Sequence, residues 1–230
     1  MKRHVLVVAD VSACEVSGGA ERMLARHVRT LAEAGFRVTV LTRQRHPQDA
    51  PVEEVMPGCV EHRLAWSGDR GPRGMLELRR AARRWLMTHA QGFDAVVAEQ
   101  PFVLAALISA GFSQPYLYCC YSFAFEEYAT RHALARGACV QLKLQLIRRL
   151  EARVYRRAAR LLVLSDYTAR RLEEAFAIPR ARMRIAPGGA ERVSGRLLKE
   201  RAEIRRALGW TGPRVITVRN LVPRTGVDML

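Results

Sequence analysis

The chain contains no apolar run long enough to cross a membrane. Residues 95–112 are mostly apolar but are interrupted at 99–101 by Glu, Gln and Pro, whereas a spanning helix needs about 20 apolar residues. The apolar run that follows the basic residues 2–4 ends at Asp10, which is too short for a secretory signal. We therefore predict a globular, cytoplasmic protein without a transmembrane span.

Cysteine is scarce and irregularly placed. The five cysteines form an odd set without a C-x-x-C pair, which argues against a disulfide framework and a structural zinc site. A reducing compartment fits this usage best. We predict no metal site and no cofactor. The adjacent Cys119 and Cys120 are expected to point to opposite faces of one strand and to be structural.

Acidic residues are few relative to basic ones. The sequence has 38 Lys and Arg against 22 Asp and Glu, and from Gln141 onward the ratio is 21 to 8. Such an excess suits nucleic acid, an anionic membrane surface or a phosphorylated ligand, although an Arg- and Ala-rich composition explains it equally well. No nucleic-acid-binding motif accompanies it, so no specific nucleic-acid partner is expected.

Apolar segments of strand and helix character alternate along the chain. Strands are predicted at 4–10, 37–42, 59–66, 94–98, 115–121, 161–165, 182–186 and 214–218. Helices are predicted at 19–34, 75–91, 102–110, 125–135, 140–159 and 166–176, and residues 43–58 are predicted as loop. This order predicts an α/β fold with a doubly wound, Rossmann-like parallel sheet.

Candidate ligand-binding residues follow several predicted strands, at the carboxyl ends where ligands of such sheets bind. These residues are Gly18, Gly19, Glu99, Tyr121 and Ser165. The glycine pair opens a helix, whose free N–H groups and dipole suit a phosphate. The sequence has neither G-x-G-x-x-G nor a P-loop, and a plain tight turn is the alternative.

Acidic residues close to Tyr121 are candidates for acid–base chemistry. Glu126 and Glu127 begin a predicted helix, where a general base and simple stabilisation by the helix dipole are both consistent with the pattern. His27 lies on the apolar side of the first helix and is expected to be packed. The helix at 140–159 carries an arginine face that fits either solvent or anionic lipid.

Several segments together resemble the family 4 glycosyltransferases of the two-domain GT-B fold. Residues 17–22 (SGGAER) and 35–40 (GFRVTV) are similar to the opening of that family. Residues 163–168 (VLSDYT) and 184–191 (RIAPGGAE) resemble the end of its acceptor domain, and 218–228 (VRNLVPRTGVD) the start of its donor domain. The resemblance implies transfer of a sugar from a nucleotide-diphosphate donor to a saccharide or lipid-linked acceptor.

The resemblance also implies roles for individual residues. The backbone at Gly18 and Gly19 approaches the donor diphosphate. The basic pair of the family falls at Asn220 and Thr225 in this sequence, and the neighbouring Arg219 and Arg224 are expected to take its place. Such cations neutralise a departing phosphate.

On the acceptor side, Glu99, Tyr121 and Glu127 are expected to contact the acceptor. Tyr121, Ser122 and Glu126 are the candidates for catalysis. Tyr121 and Ser122 stand where the family often has a histidine.

The expected organisation is the N-terminal half of a GT-B protein. Residues 1–190 form the acceptor domain, 191–212 a linker, and 213–230 the first strand and loop of a donor domain. The paired-glutamate motif of the family does not occur, so we expect a truncated chain that transfers no sugar on its own. The protein is expected to act at the cytoplasmic face of the membrane. A non-catalytic basic α/β module that binds nucleic acid or a protein remains the alternative.

Overall fold

The computed structural model describes residues 2–14, 18–69, 71–89, 92–132, 137–189 and 200–217. The strands are β1 (His4–Val8), β2 (Arg37–Arg43), β3 (Val52–Met56), β4 (Cys59–Leu64), β5 (Ala95–Ala98), β6 (Leu117–Cys120), β7 (Arg160–Val163) and β8 (Met183–Ile185). The helices are α1 (Gly19–Glu33), α2 (Pro72–His89), α3 (Pro101–Ser109), α4 (Ala124–Arg131), α5 (Ala138–Arg157), α6 (Asp166–Phe176) and α7 (Arg201–Ala207), with a short 3₁₀ turn at Arg180–Arg182.

The strands form one sheet in the order β3-β4-β2-β1-β5-β6-β7-β8. Every neighbouring pair is parallel except the edge pair of β3 and β4. The chain builds one half of the sheet outward from β1 and then crosses to β5 to build the other half. In such sheets the crevice beyond the carboxyl ends of the strands at this reversal binds ligands. The predicted fold class is confirmed.

Side chains of β1 alternate between the two faces of the sheet. Leu6 enters the larger core, which α2, α3, α5 and α6 cover. Val7 enters a smaller core on the other face, where Leu24 and Val28 of α1 pack. This strict alternation fixes the register of β1, because a slip of one residue would exchange the two cores.

The prediction that residues 43–58 form a loop is wrong in its second half, because Val52–Met56 forms β3. This strand pairs antiparallel with β4 and leaves Val52 half exposed. An edge strand pairs on one side only and tolerates charged side chains such as Glu53 and Glu54. Its pattern therefore lacks the apolar alternation that would have indicated a strand.

The predicted strand at residues 214–218 is not found over the part of it that the structure describes. Residues 214–217 lie outside the sheet, and Val215 and Ile216 are 93% and 64% exposed. A strand needs a pairing partner, and the described residues offer none here. Helix α7 lies within the predicted linker, and the division of the chain at 190 and 212 stays a prediction.

Two other local expectations are confirmed, namely the arginine face of α5 and the opposite orientations of Cys119 and Cys120. Arg149, Arg153 and Arg156 are exposed along α5, while Val154 on its opposite face is fully buried. Cys120 enters the larger core and Cys119 faces the side of α1.

All five cysteines are described, and each is a free thiol. Over the described ranges, no helix is both long and apolar enough to span a membrane.

Candidate functional site

The candidate site lies at the carboxyl ends of the parallel strands. Asp10 follows β1, Glu99 follows β5, Tyr121 follows β6 and Ser165 follows β7. Parallel strands place their carboxyl ends at one edge, so four separate parts of the chain converge there. Ser165 caps α6, because its hydroxyl accepts a hydrogen bond from the Thr168 N–H.

The loop after β1 is fastened to the start of α3. Gln100 Oε1 accepts hydrogen bonds from the N–H groups of Asp10 (2.6 Å) and Val11 (3.1 Å). The Asp10 carboxylate in turn accepts from the N–H groups of Phe102 (3.1 Å) and Val103 (2.7 Å). The Asp10 carboxylate thereby satisfies two of the first N–H groups of α3, which a helix leaves unpaired. These bonds also fix the course of the β1 loop.

A second anchor for the same loop comes from Glu61 of β4, which is fully buried. Its carboxylate accepts hydrogen bonds from the Ser12 hydroxyl (3.0 Å) and the Ala13 N–H (3.1 Å), and from the Thr42 hydroxyl (2.6 Å). Arg63 Nε donates to it at 3.2 Å. A buried charge that is paired and fully hydrogen-bonded holds its surroundings in one arrangement. Ser12 and Ala13 of this loop are thereby held in position.

The glycine pair stands at the start of α1. Gly18 is the N-cap residue, extended in conformation, and provides no side-chain cap. Neither glycine has a positive φ, so the backbone conformation itself does not demand glycine. A Cβ on Gly19 would meet nothing within 4 Å, whereas one on Gly18 would lie 2.7 Å from the Glu21 carboxylate. The space beside Gly19 is thus free for a group approaching the helix N–H groups, whereas the Glu21 carboxylate lies beside Gly18.

The centre of the site is formed by His27, Glu99 and Tyr121. His27 Nδ1 lies 2.7 Å from Glu99 Oε1 and 3.2 Å from the Tyr121 hydroxyl. The Glu99 side chain is 3% exposed and that of His27 is 34% exposed. The buried carboxylate therefore orients an accessible imidazole, whose Nε2 has no protein partner in the described residues.

The electrostatics of this cluster follow from its contacts. The hydrogen bond from His27 to Glu99 raises the pKa of the imidazole, against burial and the nearby Arg26 charge, which lower it. Burial raises the pKa of the Tyr121 phenol far above its usual range, so this hydroxyl stays neutral. Burial likewise raises the pKa of the neighbouring Cys119 thiol to about 12. His27 is therefore the group of this cluster whose charge changes near neutral pH.

The His27–Glu99 pair leads to a first prediction. His27 should titrate above the ordinary histidine value of 6.5. In Glu99→Gln its pKa should fall below 6.5, because burial and Arg26 then act without the opposing carboxylate. The measurement is an NMR titration of the imidazole signals, with Glu33→Gln on the exposed side of α1 as a control that leaves the His27 pKa unchanged.

The same shift determines how this pair affects stability. Because the folded-state pKa of His27 is raised, the stabilisation by the protonated pair is complete below pH 6.5 and is lost as pH rises through the folded-state pKa. Glu99→Gln should remove this pH dependence from the free energy of unfolding. An unchanged His27 pKa in Glu99→Gln would contradict the assigned hydrogen bond.

A cavity of about 220 Å³ opens beside His27, and we call it the His27 cavity. Its polar lining comes from α1 and the end of β6: Arg26, His27, Thr30, Cys119 and Tyr121. The remaining wall is apolar or backbone, from β7 and from residues 186–189 after β8. The ideal Cβ position of Gly189 lies 3.9 Å from Arg26 Nη2, so this guanidinium reaches across from α1 to the β8 loop.

A second cavity, of about 280 Å³, lies on the other side of Tyr121, and we call it the Glu126 cavity. It is lined by Tyr121, Ser122, Phe123, Glu126, Glu127, Thr130, Tyr167 and Thr168. Arg171 Nε donates to Glu126 Oε1 at 3.1 Å and holds this carboxylate in place. Tyr167 is 61% exposed. Aromatic, hydroxyl and carboxylate groups thus face one space.

The structure brings together most of the residues singled out in the sequence. Tyr121 lines both cavities, and Ser122, Glu126 and Glu127 line the second. Glu99 stands behind His27. Gly18 and Gly19 lie at the amino end of the helix that carries His27. Arg219 and Arg224 lie outside the described residues, so the proposed basic pair is not placed.

Sequence reasoning missed His27, which was expected to be packed. It lines a cavity instead and pairs with a carboxylate 72 residues away. One signal was available, because a glutamate at the end of a buried strand requires a partner. A histidine on the inward side of the adjacent helix is a suitable one. Among the described residues, no group of His, Cys, Asp or Glu is arranged to hold a metal ion.

Comparison with known proteins identifies the family to which these features belong. The model of the glycosyl transferase 4-like domain matches residues 18–189. The chain belongs to this family. The match begins at the glycine pair and ends at the β8 loop, and so includes every element around the two cavities.

Solved structures share the fold at low sequence identity. Sucrose-phosphate synthase from Thermosynechococcus elongatus is 18% identical, with a TM-score of 0.65 over 90% of this chain and 53% of that one. WaaG, a glycosyltransferase involved in lipopolysaccharide biosynthesis, is 16% identical, with a TM-score of 0.54 over 89% and 51%. A glycosyltransferase from Rickettsia africae is 11% identical, with a TM-score of 0.53 over 94% and 54%.

These neighbours establish the Rossmann-like half of a GT-B fold. The present chain spans about half the length of each of them. Comparison with curated proteins finds no match.

Proposed function

We propose that this protein supplies the acceptor side of a glycosyl transfer from a nucleotide-diphosphate sugar to a saccharide or lipid-linked acceptor. The observation that carries the proposal is the family match over residues 18–189, which encloses the carboxyl-edge cluster of His27, Glu99 and Tyr121. The comparisons lend no support to a basic module for nucleic acid or protein binding. The nucleotide sugar is a substrate in this proposal, and no cofactor takes part.

The Glu126 cavity suits the saccharide of the acceptor. Sugar-binding clefts combine a few placed polar groups with aromatic surface, and this cavity offers the Tyr121 and Tyr167 rings beside the carboxylates of Glu126 and Glu127. Tyr121 lines this cavity as well as the His27 cavity, and burial keeps its hydroxyl neutral. The reacting hydroxyl of the acceptor would then lie close to Tyr121 and the imidazole of His27.

The donor diphosphate is assigned to the start of α1. Gly18 and Gly19 place no side chain of their own over the first N–H groups of this helix, which favours an anion. The Glu21 carboxylate beside Gly18 has to move aside when the diphosphate binds. Arg219 and Arg224 complete this site in the proposal. Because the chain spans about half of its neighbours, we expect no sugar transfer by these 230 residues alone. A turnover assay with several nucleotide sugars and acceptors tests this expectation, and product formation would overturn it.

Acceptor binding can be tested on the chain itself. We expect saturation-transfer NMR to detect binding of neutral or lipid-linked saccharides, with Tyr121→Phe weakening it several-fold because a cavity hydroxyl is lost. Tyr128→Phe is the matched control, since Tyr128 stacks on His132 and does not line the cavities. Equal weakening by the two substitutions, or no saccharide binding at all, would count against the proposed acceptor site.

We also propose that the protein works at the inner face of the cytoplasmic membrane. The outer face of α2 exposes Arg80, Arg83 and Arg84, with Leu76 and Met87 exposed beside them. A basic amphipathic helix of this kind lies on anionic headgroups. This surface supports the expected partnership with an anionic membrane.

Liposome sedimentation provides the corresponding prediction. Each basic residue near an anionic surface contributes about 1 kcal/mol, so the triple variant Arg80→Gln, Arg83→Gln, Arg84→Gln should lose about 3 kcal/mol, roughly a hundredfold in affinity. The control removes the same charge at three exposed positions elsewhere, through Arg3→Gln, Arg29→Gln and Arg37→Gln. Equal loss in both variants, or equal binding to neutral vesicles, would refute electrostatic docking through α2.

A further inference from the structure

The charges that face the His27 cavity are mainly positive. Arg26 reaches across it, and Arg26 has no ion pair in the described part of the chain. His27 lines the same space, and its Nδ1 is turned to Glu99 and Tyr121. The Glu99 carboxylate is 3% exposed and pairs with His27, so it does not itself line the cavity.

The other groups around this cavity are neutral. Tyr121 and Cys119, at the end of β6, keep their protons because burial raises both pKa values. Thr30 adds a hydroxyl from α1, and the walls from β7 and the β8 loop are apolar or backbone. Within the described ranges, no acidic side chain lines the space. The cavity therefore favours an anion over a cation or a neutral apolar group.

Its size also restricts the ligand. At about 220 Å³ the cavity is smaller than the roughly 300–1,000 Å³ of sites that enclose a whole small molecule. It fits a substituent of a larger substrate whose remainder lies outside. Tyr121 forms the boundary with the Glu126 cavity, so one substrate could occupy both.

We infer that the His27 cavity binds a phosphate group of a substrate between the Arg26 guanidinium and His27 Nε2. The guanidinium offers paired N–H donors that match phosphate oxygens, and protonated His27 adds a third donor. The Tyr121 hydroxyl is placed to donate as well. This inference rests on the proposed function, because it specifies the chemistry of a substrate of the same site.

The test uses the full 230-residue chain with inorganic phosphate as the probe, and chloride at equal ionic strength as the reference. NMR should show a saturable shift of the His27 imidazole signals and a His27 pKa that rises with bound phosphate. Arg26→Gln should weaken binding at least tenfold, whereas Arg29→Gln, an equal charge loss on the exposed side of α1, should change it less than twofold. Equal weakening by both, or His27 signals that do not move at saturation, would overturn the inference.

The role of His27 is measured with sulfate, whose charge is constant over the relevant pH range. Sulfate affinity should fall several-fold as pH rises through the His27 pKa, and His27→Gln should abolish this dependence. A dependence that persists in His27→Gln would contradict the role given to the imidazole. Thermal unfolding of each variant shows whether the fold is retained, and Arg26→Gln, at an exposed position, should leave the unfolding temperature unchanged.

The source of the phosphate is distinguished by two further ligands. Tighter binding of a hexose phosphate than of inorganic phosphate supports a phosphorylated acceptor, whereas tighter binding of a nucleoside diphosphate supports the donor. Failure of both to exceed inorganic phosphate would overturn assignment to a substrate. The proposed function can be judged separately, because neutral saccharide binding and its dependence on Tyr121 do not require the anion site.

Discussion

Glu61→Ala should lower the free energy of unfolding by about 3–5 kcal/mol. The substitution removes the acceptor for four donors in a fully buried position, from Ser12, Ala13, Thr42 and Arg63. The Arg63 guanidinium would keep Glu53 as a partner at 2.6 Å but would lose its buried one. A buried charge without its counterpart is among the few causes of losses this large.

Denaturant unfolding followed by circular dichroism measures this effect. Glu54→Ala is the matched control, because Glu54 is an exposed glutamate on the adjacent strand β3 and should change stability by no more than about 0.5 kcal/mol. Loss of Glu61 also removes the anchor of Ser12 and Ala13 in the loop after β1. A Glu61→Ala protein as stable as the control would show that the buried network does not hold the loop.

Glu151→Ala should be the second large loss, at about 2–4 kcal/mol. The Glu151 carboxylate on α5 caps α4, accepting hydrogen bonds from the N–H groups of Ala124 (2.7 Å) and Phe125 (3.0 Å). It also accepts from the Tyr155 hydroxyl at 2.7 Å. Without it, three donors in a buried region lose their acceptor, and the helix that carries the Glu126 cavity loses its anchor.

The comparison for Glu151→Ala is Arg149→Ala, an exposed position on the same helix. Thermal unfolding should separate the two variants clearly. Hydrogen exchange should in addition show faster exchange in α4 for Glu151→Ala, because its first turn is no longer capped. Unchanged exchange in α4 would contradict the capping role.

The sheet could be predicted from the sequence because its signals are local. Apolar strands such as His4–Val8 are bounded by charged residues, here Arg3 and Asp10. The alternation of strands and helices then indicates a parallel sheet. Strand Val52–Met56 could not be found in this way, since an edge strand carries no apolar alternation. The opposite error occurred at residues 214–217. Their apolar, β-branched pattern predicted a strand, but no described strand pairs with them and they form none.

The site was predictable only in part, for a related reason. Glu99 and Tyr121 could be placed at one edge because strand ends converge there. The partnership of His27 with Glu99 depends on how α1 packs across the sheet, which spacing along the chain does not reveal. The same holds for Glu61, whose donors come from three separate segments. Hydrogen-bond networks between distant segments are properties of packing, whereas strand order follows from pattern.

We propose that the acceptor binds at the carboxyl ends of the strands around Tyr121. Chemical-shift mapping of the labelled chain with a saccharide acceptor is the decisive measurement. We expect shifts concentrated at His27, Tyr121 and Glu127. Shifts confined to the opposite edge of the sheet, around His4 and Arg37, would contradict it.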